Sequence, residues 1–218
     1  MRRVDRTFVE PLLQWYQEHG RHSLPWRADE RTSFEVLVAE ILLQRTTASA
    51  VSGAYVPFVA RYPTPECVVA APSHELAERI APLGLRKRAQ YLERCSSELL
   101  ARYGGDVPRS RTDLVALHGV GEYTARSVLA HAFDAETTAV DTNVRRLVSR
   151  FFGIDPDSVG IDVLADAIVP PERSSDFLHA MLDFAAAVCT ARSPDCDDCG
   201  LESDCRHAAS QNEPAHST

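Results

Sequence analysis

The sequence predicts an all-α protein, and three observations carry that expectation. Apolar residues recur at helical spacing in one segment after another, no run alternates as strands do, and no internal repeat is present. The chain has 218 residues, 44% of them hydrophobic and 25% charged, which is enough for a real core and excludes wholesale disorder.

Each element has its own signal. Val36–Leu43 lies in a window where Phe34, Leu37, Val38, Ile41 and Leu42 follow one face, while Val36, Ala39 and Leu43 occupy the other. This helix is expected to be buried nearly all round. Ser73 is read as the cap of a helix reaching Ile80, ended by Pro82 and Gly84. Arg88–Tyr103 continues as a helix closed by Gly104 and Gly105, and Thr112–Leu117 is a short one stopping at Gly119. A helix from about Glu122 to Phe133 follows. Thr142 is read as the cap of the next, with Val144, Leu147, Val148 and Phe151 on one face and Gly153 as its stop. Ser175–Val188 is the last apolar-rich helix, and 207–218 is expected to be a flexible tail.

Charge is segregated along the chain. The formal total is −8, with a pI near 5.5, and by itself argues against a nucleic-acid partner. Divided by region, residues 1–78 carry −2, residues 79–150 carry +4, and residues 153–218 carry −10. The middle of the chain is therefore basic. Lys87 is the only lysine, so chemistry that needs a side-chain amine has one candidate. No apolar run approaches a membrane span, and no signal-peptide core follows Met1–Arg6, so a cytoplasmic location is expected, with nucleoid association if the partner is DNA.

Four cysteines, Cys189, Cys196, Cys199 and Cys205, follow a C-x6-C-x2-C-x5-C spacing. Reducing conditions in the cytosol disfavour disulfides. Four thiolates satisfy zinc, but zinc sites more often pair two short hooks, and only one such hook exists here. The wide first gap suits a larger, cubane-sized cluster. A ligand set drawn from one short loop closes a small domain, so a structural role is the simpler reading. Cys67 and Cys95 fall outside this set.

Leu117–Ala125 places Gly119, Val120 and Gly121 between two helical segments. Such a turn exposes amides at a helix N-terminus, where a phosphate binds well. A dinucleotide fingerprint would need a preceding strand and a third glycine, and position 124 is Thr. The helical context selects a helix–hairpin–helix on a DNA backbone, or else a plain helix connection. Glu40 is the only polar residue in Val36–Leu43; it is either a structural carboxylate satisfied by an arginine or a helix end, or a working acid with a raised pKa. Asp141 stands at a helix mouth, where capping is the simple reading. Tyr123 beside the hairpin could be core packing, and Arg45 is expected to project from the same edge as Glu40.

Jointly these residues carry a resemblance. Pro25-Trp26-Arg27, Glu40–Thr46, Gly119-Val120-Gly121, Val140-Asp141 and the four cysteines, spanning about Leu24 to Cys205, resemble the helix–hairpin–helix (HhH-GPD) DNA glycosylases with an iron–sulfur loop, the superfamily of endonuclease III and the adenine glycosylase MutY. Endonuclease III-like enzymes place a lysine where this chain has Tyr123. MutY-like enzymes usually read Gly-Tyr-Tyr where this chain has Gly84-Leu85-Arg86, and usually append a second domain for which nothing remains after Cys205. Arg45-Thr46-Thr47, Gly84-Leu85, Tyr123-Thr124 and Met181-Leu182-Asp183-Phe184 look most like the mismatch-specific thymine-DNA glycosylases. The chain departs from the pattern at His118, where proline is common, and in a cysteine loop carrying Asp195, Asp197 and Asp198 with Arg192 as its cation.

The resemblance implies a two-lobed fold: a six-helix barrel over 27–133, with the helix–hairpin–helix at about 112–132, and an iron–sulfur domain from 1–26 plus 134–206. It implies a 4Fe–4S cluster on Cys189, Cys196, Cys199 and Cys205. It implies a monomeric, monofunctional enzyme acting on double-stranded DNA with a mismatched or damaged base, without a membrane partner and without strand-cutting lyase activity. The target nucleotide is flipped out and thymine or uracil opposite guanine is hydrolysed from its sugar. Asp141, Tyr123 and Glu40 are the implied catalytic set. Arg45 and Leu85 are the implied wedges, and Gln44, Thr46, Gly119, Val120, Gly121, Thr124 and Asn143 the remaining DNA-binding residues, Asn143 by orienting Asp141. The alternatives are an adenine glycosylase acting on A:G or A:8-oxoguanine, and a non-enzymatic binder of DNA structure.

Overall fold

The computed structural model describes residues 3–84 and 87–212, and every described element is helical. In chain order the α-helices are α1 (Glu10–His19), α2 (Ser33–Leu43), α3 (Ala48–Arg61), α4 (Pro65–Ala70), α5 (Ser73–Ile80), α6 (Lys87–Tyr103), α7 (Arg111–Val115), α8 (Glu122–Phe133), α9 (Thr142–Phe152), α10 (Gly160–Ala167), α11 (Ser174–Ala187) and α12 (Arg206–Asn212). The all-α expectation holds. The chain divides into two compact units, residues 22–133 and residues 1–21 with 134–218.

In the unit of residues 22–133, α2 packs against α3, α6 and α8, while α6 also receives α4 and α5. Leu37, Val38, Ile41 and Leu42 are essentially inaccessible, and Val36 and Ala39 on the other side are buried too. Apolar residues on both faces explain why α2 sits in the middle of its unit. Its start is a capping box: the Thr32 hydroxyl accepts from the Glu35 amide at 3.2 Å, and the Glu35 carboxylate accepts from the Thr32 amide at 2.9 Å. Val51, Tyr55 and Phe58 of α3, Leu92 and Leu99 of α6, and Val128 of α8 complete this core.

In the other unit α1 lies on α11, and α9 packs against α10, α11 and α12. Phe8 meets Phe151, Phe152 and Phe177 at ring distances of 4.7, 5.3 and 6.2 Å, so aromatic packing closes the core where the N-terminal segment crosses α9 and α11. Asp183, buried in α11, accepts from the amide and Nε of Arg21 at 2.8 and 2.7 Å, tying the end of the N-terminal segment to this unit.

Several local expectations are corrected. Pro72, not Ser73, caps α5, and the Ser73 hydroxyl donates to Glu93 instead. Asp141, not Thr142, caps α9, because its carboxylate reaches two amides of the first turn. Residues 207–212 of the expected tail lie in α12, with Ala208 buried, and 213–218 fall outside the described residues. Thr32→Ala removes the hydroxyl half of the capping box on α2, and equilibrium urea unfolding should show a loss of about 1 kcal/mol.

Candidate DNA-repair site

Within the unit of residues 22–133, Glu40 faces its neighbours from the middle of α2 and is 8% exposed. Burial raises its carboxyl to about 7, with the Ser127 hydroxyl and the Arg27 charge pulling the other way. Ser127, fully buried on α8, lies beside the carboxyl without a well-aligned hydrogen bond. Arg27 comes from the Pro25–Arg27 turn, and burial together with its charge presses His131 down to about 3. Glu40 and Ser127, both buried, and the half-buried Arg27 and His131 thus form one polar group, linked through the Arg27 charge, in which a carboxyl can be neutral near pH 7 and the imidazole stays uncharged. Neither Ser127 nor His131 stood out in the sequence, where each falls among apolar residues of α8 with no spacing signal.

The hairpin is a defined turn. Gly119 has φ +82°, and a Cβ there would lie 2.7 Å from Tyr91 Cβ, so both conformation and space demand glycine. Val120 is buried and its amide donates to the Leu117 carbonyl at 3.1 Å. Gly121 opens α8, its carbonyl accepting from the Ala125 amide at 2.9 Å. His118, where the resemblance expects proline, turns its amide to Glu98 Oε2 at 2.7 Å and sets its ring edge-on to Tyr91. Gln44 Nε2 donates to the Gly119 carbonyl at 2.9 Å and to the Thr124 hydroxyl at 3.4 Å. The end of α2 is thereby fastened to the hairpin, and Gln44, Gly119 and Thr124 are brought together. Tyr123 is half-buried in the first turn of α8.

The α2 helix stops at Leu43, so its periodicity does not set the direction of Arg45. Arg45 is exposed with φ +54°, an uncommon conformation for a side chain of this size. Thr46 is half-buried, and Thr47 caps α3. Leu85 and Arg86 lie outside the described residues; Gly84 before them has φ +84°.

In the other unit Asp141 Oδ1 accepts from the Asn143 and Val144 amides, both at 2.8 Å, and Oδ2 accepts from Asn143 Nδ2 at 2.9 Å. Asn143 Oδ1 accepts in turn from Arg146, which also donates to the Cys189 carbonyl at 2.9 Å and the Ala185 carbonyl at 2.8 Å. Arg146 carried no signal in the sequence beyond its charge. Cys189, Cys196, Cys199 and Cys205 line one small pocket with Leu147, Phe151, Phe184, Val188 and Leu201, partly open to solvent. Arg150 Nη1 reaches Cys189 Sγ at 3.5 Å. None of the six cysteines is paired in a disulfide, and Cys95 is buried in α6, its thiol pushed up to about 12 by burial. Among the described residues no three His, Cys, Asp or Glu side chains stand close enough to hold a single metal ion.

An all-helical chain with a glycine hairpin pinned between helices defines a helix–hairpin–helix protein. The chain belongs to the HhH-GPD superfamily of base excision DNA repair proteins, whose family model matches residues 38–167. It is 38% identical to the thymine/uracil-DNA glycosylase of Pyrobaculum aerophilum over 92% of this chain and 91% of that one. It is 37% identical to the adenine DNA glycosylase of Mycolicibacterium smegmatis over 89% of this chain and 67% of that one. Among solved structures, that of a thermostable thymine-DNA glycosylase matches with a TM-score of 0.88 and 33% identity, covering 94% of this chain and 96% of the other. Among the described residues no helix is long and apolar enough to cross a membrane.

The hairpin geometry separates its two glycines. Gly119→Ala should lower stability by about 2 kcal/mol, from its left-handed backbone and the Tyr91 clash. Gly121→Ala, with nothing within 4 Å of its Cβ, should change stability by less than about 0.5 kcal/mol in the same thermal unfolding comparison.

Proposed function

We propose that this protein is a monofunctional DNA glycosylase that removes thymine, and uracil, mispaired with guanine in double-stranded DNA. The observation that carries this reading is its similarity along nearly the whole of both chains to thymine/uracil- and thymine-DNA glycosylases. The similarity to adenine glycosylases supports one alternative, excision of adenine opposite guanine or 8-oxoguanine.

The target nucleotide leaves the stack at a cost of a few kcal/mol, less at a mismatch. Arg45 and Leu85 serve as wedges, Arg45 offering donors to the acceptors of the orphan guanine. Backbone amides around Gly119 and Gly121, where the hairpin opens α8, hold a phosphate. When the bond between C1′ and the base breaks, its electron pair leaves with the base and positive charge builds on the sugar. Water then adds to C1′ and gives up a proton. Asp141 stabilises that charge and orients the water, held by the Asn143 and Val144 donors. Glu40 in its neutral form hydrogen-bonds the departing base. Tyr123 shapes the base pocket; it has no amine to form a Schiff base, so strand cutting awaits external alkali.

Cys189, Cys196, Cys199 and Cys205 hold a 4Fe–4S cluster, a reading supported by four thiols on one pocket with a largely apolar wall and an arginine beside Cys189. When bound, the cluster supplies a cross-link that closes the loop. The purified protein should contain iron and sulfide with broad visible absorption, and Cys199→Ser should lose all three; zinc in their place would refute the cluster.

Duplexes with T:G, U:G, A:G or A:8-oxoguanine, incubated and then treated with alkali, test the activity. Cleavage at T:G and U:G is expected, and cleavage confined to adenine would establish the alternative. Asp141→Asn should lower the single-turnover rate by roughly 10²-fold or more while retaining DNA binding. Glu40, with a carboxyl raised to about 7, is protonated below that pH and ionised above it. The wild-type rate should therefore fall as pH rises through about 7, and Glu40→Gln should be slower with that limb flattened.

A further inference from the structure

Arg88, in the first turn of α6, is 0% exposed and is the largest fully buried side chain of the described residues. Its Nη1 donates to the Leu83 carbonyl at 2.9 Å and its Nη2 to the Gln44 carbonyl. Its Nε has no hydrogen-bond partner, and among the described residues no carboxylate pairs with it. A buried guanidinium without a counter-ion is costly, and an apolar side chain of similar volume would serve a core better.

The placement of the two carbonyls gives the arginine a purpose. Gln44 is the residue by which the chain leaves α2, and the next residue is the left-handed, exposed Arg45. Leu83 precedes Gly84, itself left-handed and followed directly by Leu85. Gln44 is bound from its side chain too, to Gly119 and Thr124. The Arg88 fork therefore joins the two loops that lead to the candidate wedges, and through Gln44 joins both to the hairpin. We infer that Arg88 is a positioning residue that holds the Gln44–Arg45 turn at a fixed spacing from the Leu83–Gly84 turn, so that the Arg45 wedge meets a flipped-out site already preorganised. Loops ordered before binding lose less entropy on binding. A lysine could reach one carbonyl, but its single ammonium lacks the planar fork that serves two acceptors in different directions. This inference rests on the wedge reading under Proposed function.

The test compares binding to a duplex with a tetrahydrofuran abasic analogue opposite guanine and to the same duplex fully paired, by fluorescence anisotropy, with thermal unfolding in parallel. The wild type should prefer the abasic duplex. Arg88→Met should lower that preference by about tenfold, with paired-DNA affinity little changed, and Arg88→Lys should restore only part of it. A merely structural arginine would lower the unfolding temperature and leave the preference intact; that result in both variants overturns the inference alone. If Arg88→Met does not fold, Arg88→Lys decides, and a wild-type preference in that variant overturns it. A wild type without any preference would sink the glycosylase reading and this inference together.

Discussion

Burial of one carboxyl inside the most enclosed helix sets the terms for the unit around it. α2 has apolar side chains on every side, so α3, α6 and α8 all close over it, and Glu40 is carried into their interior with it. The ionised form loses its hydration there, and neither the Arg27 charge nor the nearby Ser127 restores it fully. The outcome is an acid poised near neutrality, and the same Arg27 charge together with burial keeps His131 neutral. The same packing fixes where α2 ends. From that end, the Gln44 side chain bonds the hairpin and Arg88 bonds the Gln44 and Leu83 carbonyls, so the acid and both left-handed turns belong to one bonded assembly.

The second unit solves a different problem, which is to hold a carboxyl group still. Asp141 satisfies the open amides of α9 with one oxygen and accepts from Asn143 with the other. Arg146 backs Asn143 and is itself held by carbonyls of Ala185 and Cys189. The donors at the start of the helix therefore also fix the orientation of this aspartate. The cysteine loop reaches this network through the Cys189 carbonyl, which makes the order of that loop relevant to Asp141.

The acidic total of the chain describes its C-terminal third more than its basic middle segment. The −10 of the C-terminal third includes Asp162, paired with Arg145, and Asp183, paired with Arg21, whereas the +4 segment holds the hairpin and the arginines of α6 and α8. A basic segment within an acidic protein favours contact with phosphates that weakens as salt rises.

Apolar periodicity and glycine placement were sufficient for the helical class, for the central position of α2, for the hairpin, and for Glu40 and Asp141 as the acids worth attention. These are local properties: a burial pattern, a turn that tolerates only glycine, a carboxylate at a helix mouth. Helix α3 was not legible, since its glycine and Pro57 disrupt the expected pattern and its burial comes from neighbours distant in sequence. The place of Ser73, whose hydroxyl turns to Glu93 rather than capping α5, and the direction of Arg45 depended on the folded chain. What the sequence determined by itself is therefore the class of fold and the chemical groups available. Only the tertiary structure decided that Arg88 faces two carbonyls, that Ser127 and His131 share a cluster with Glu40, and that Arg146 stands behind Asn143. Those assignments join residues far apart along the chain, and side-chain partners at such separations are set by packing rather than by spacing.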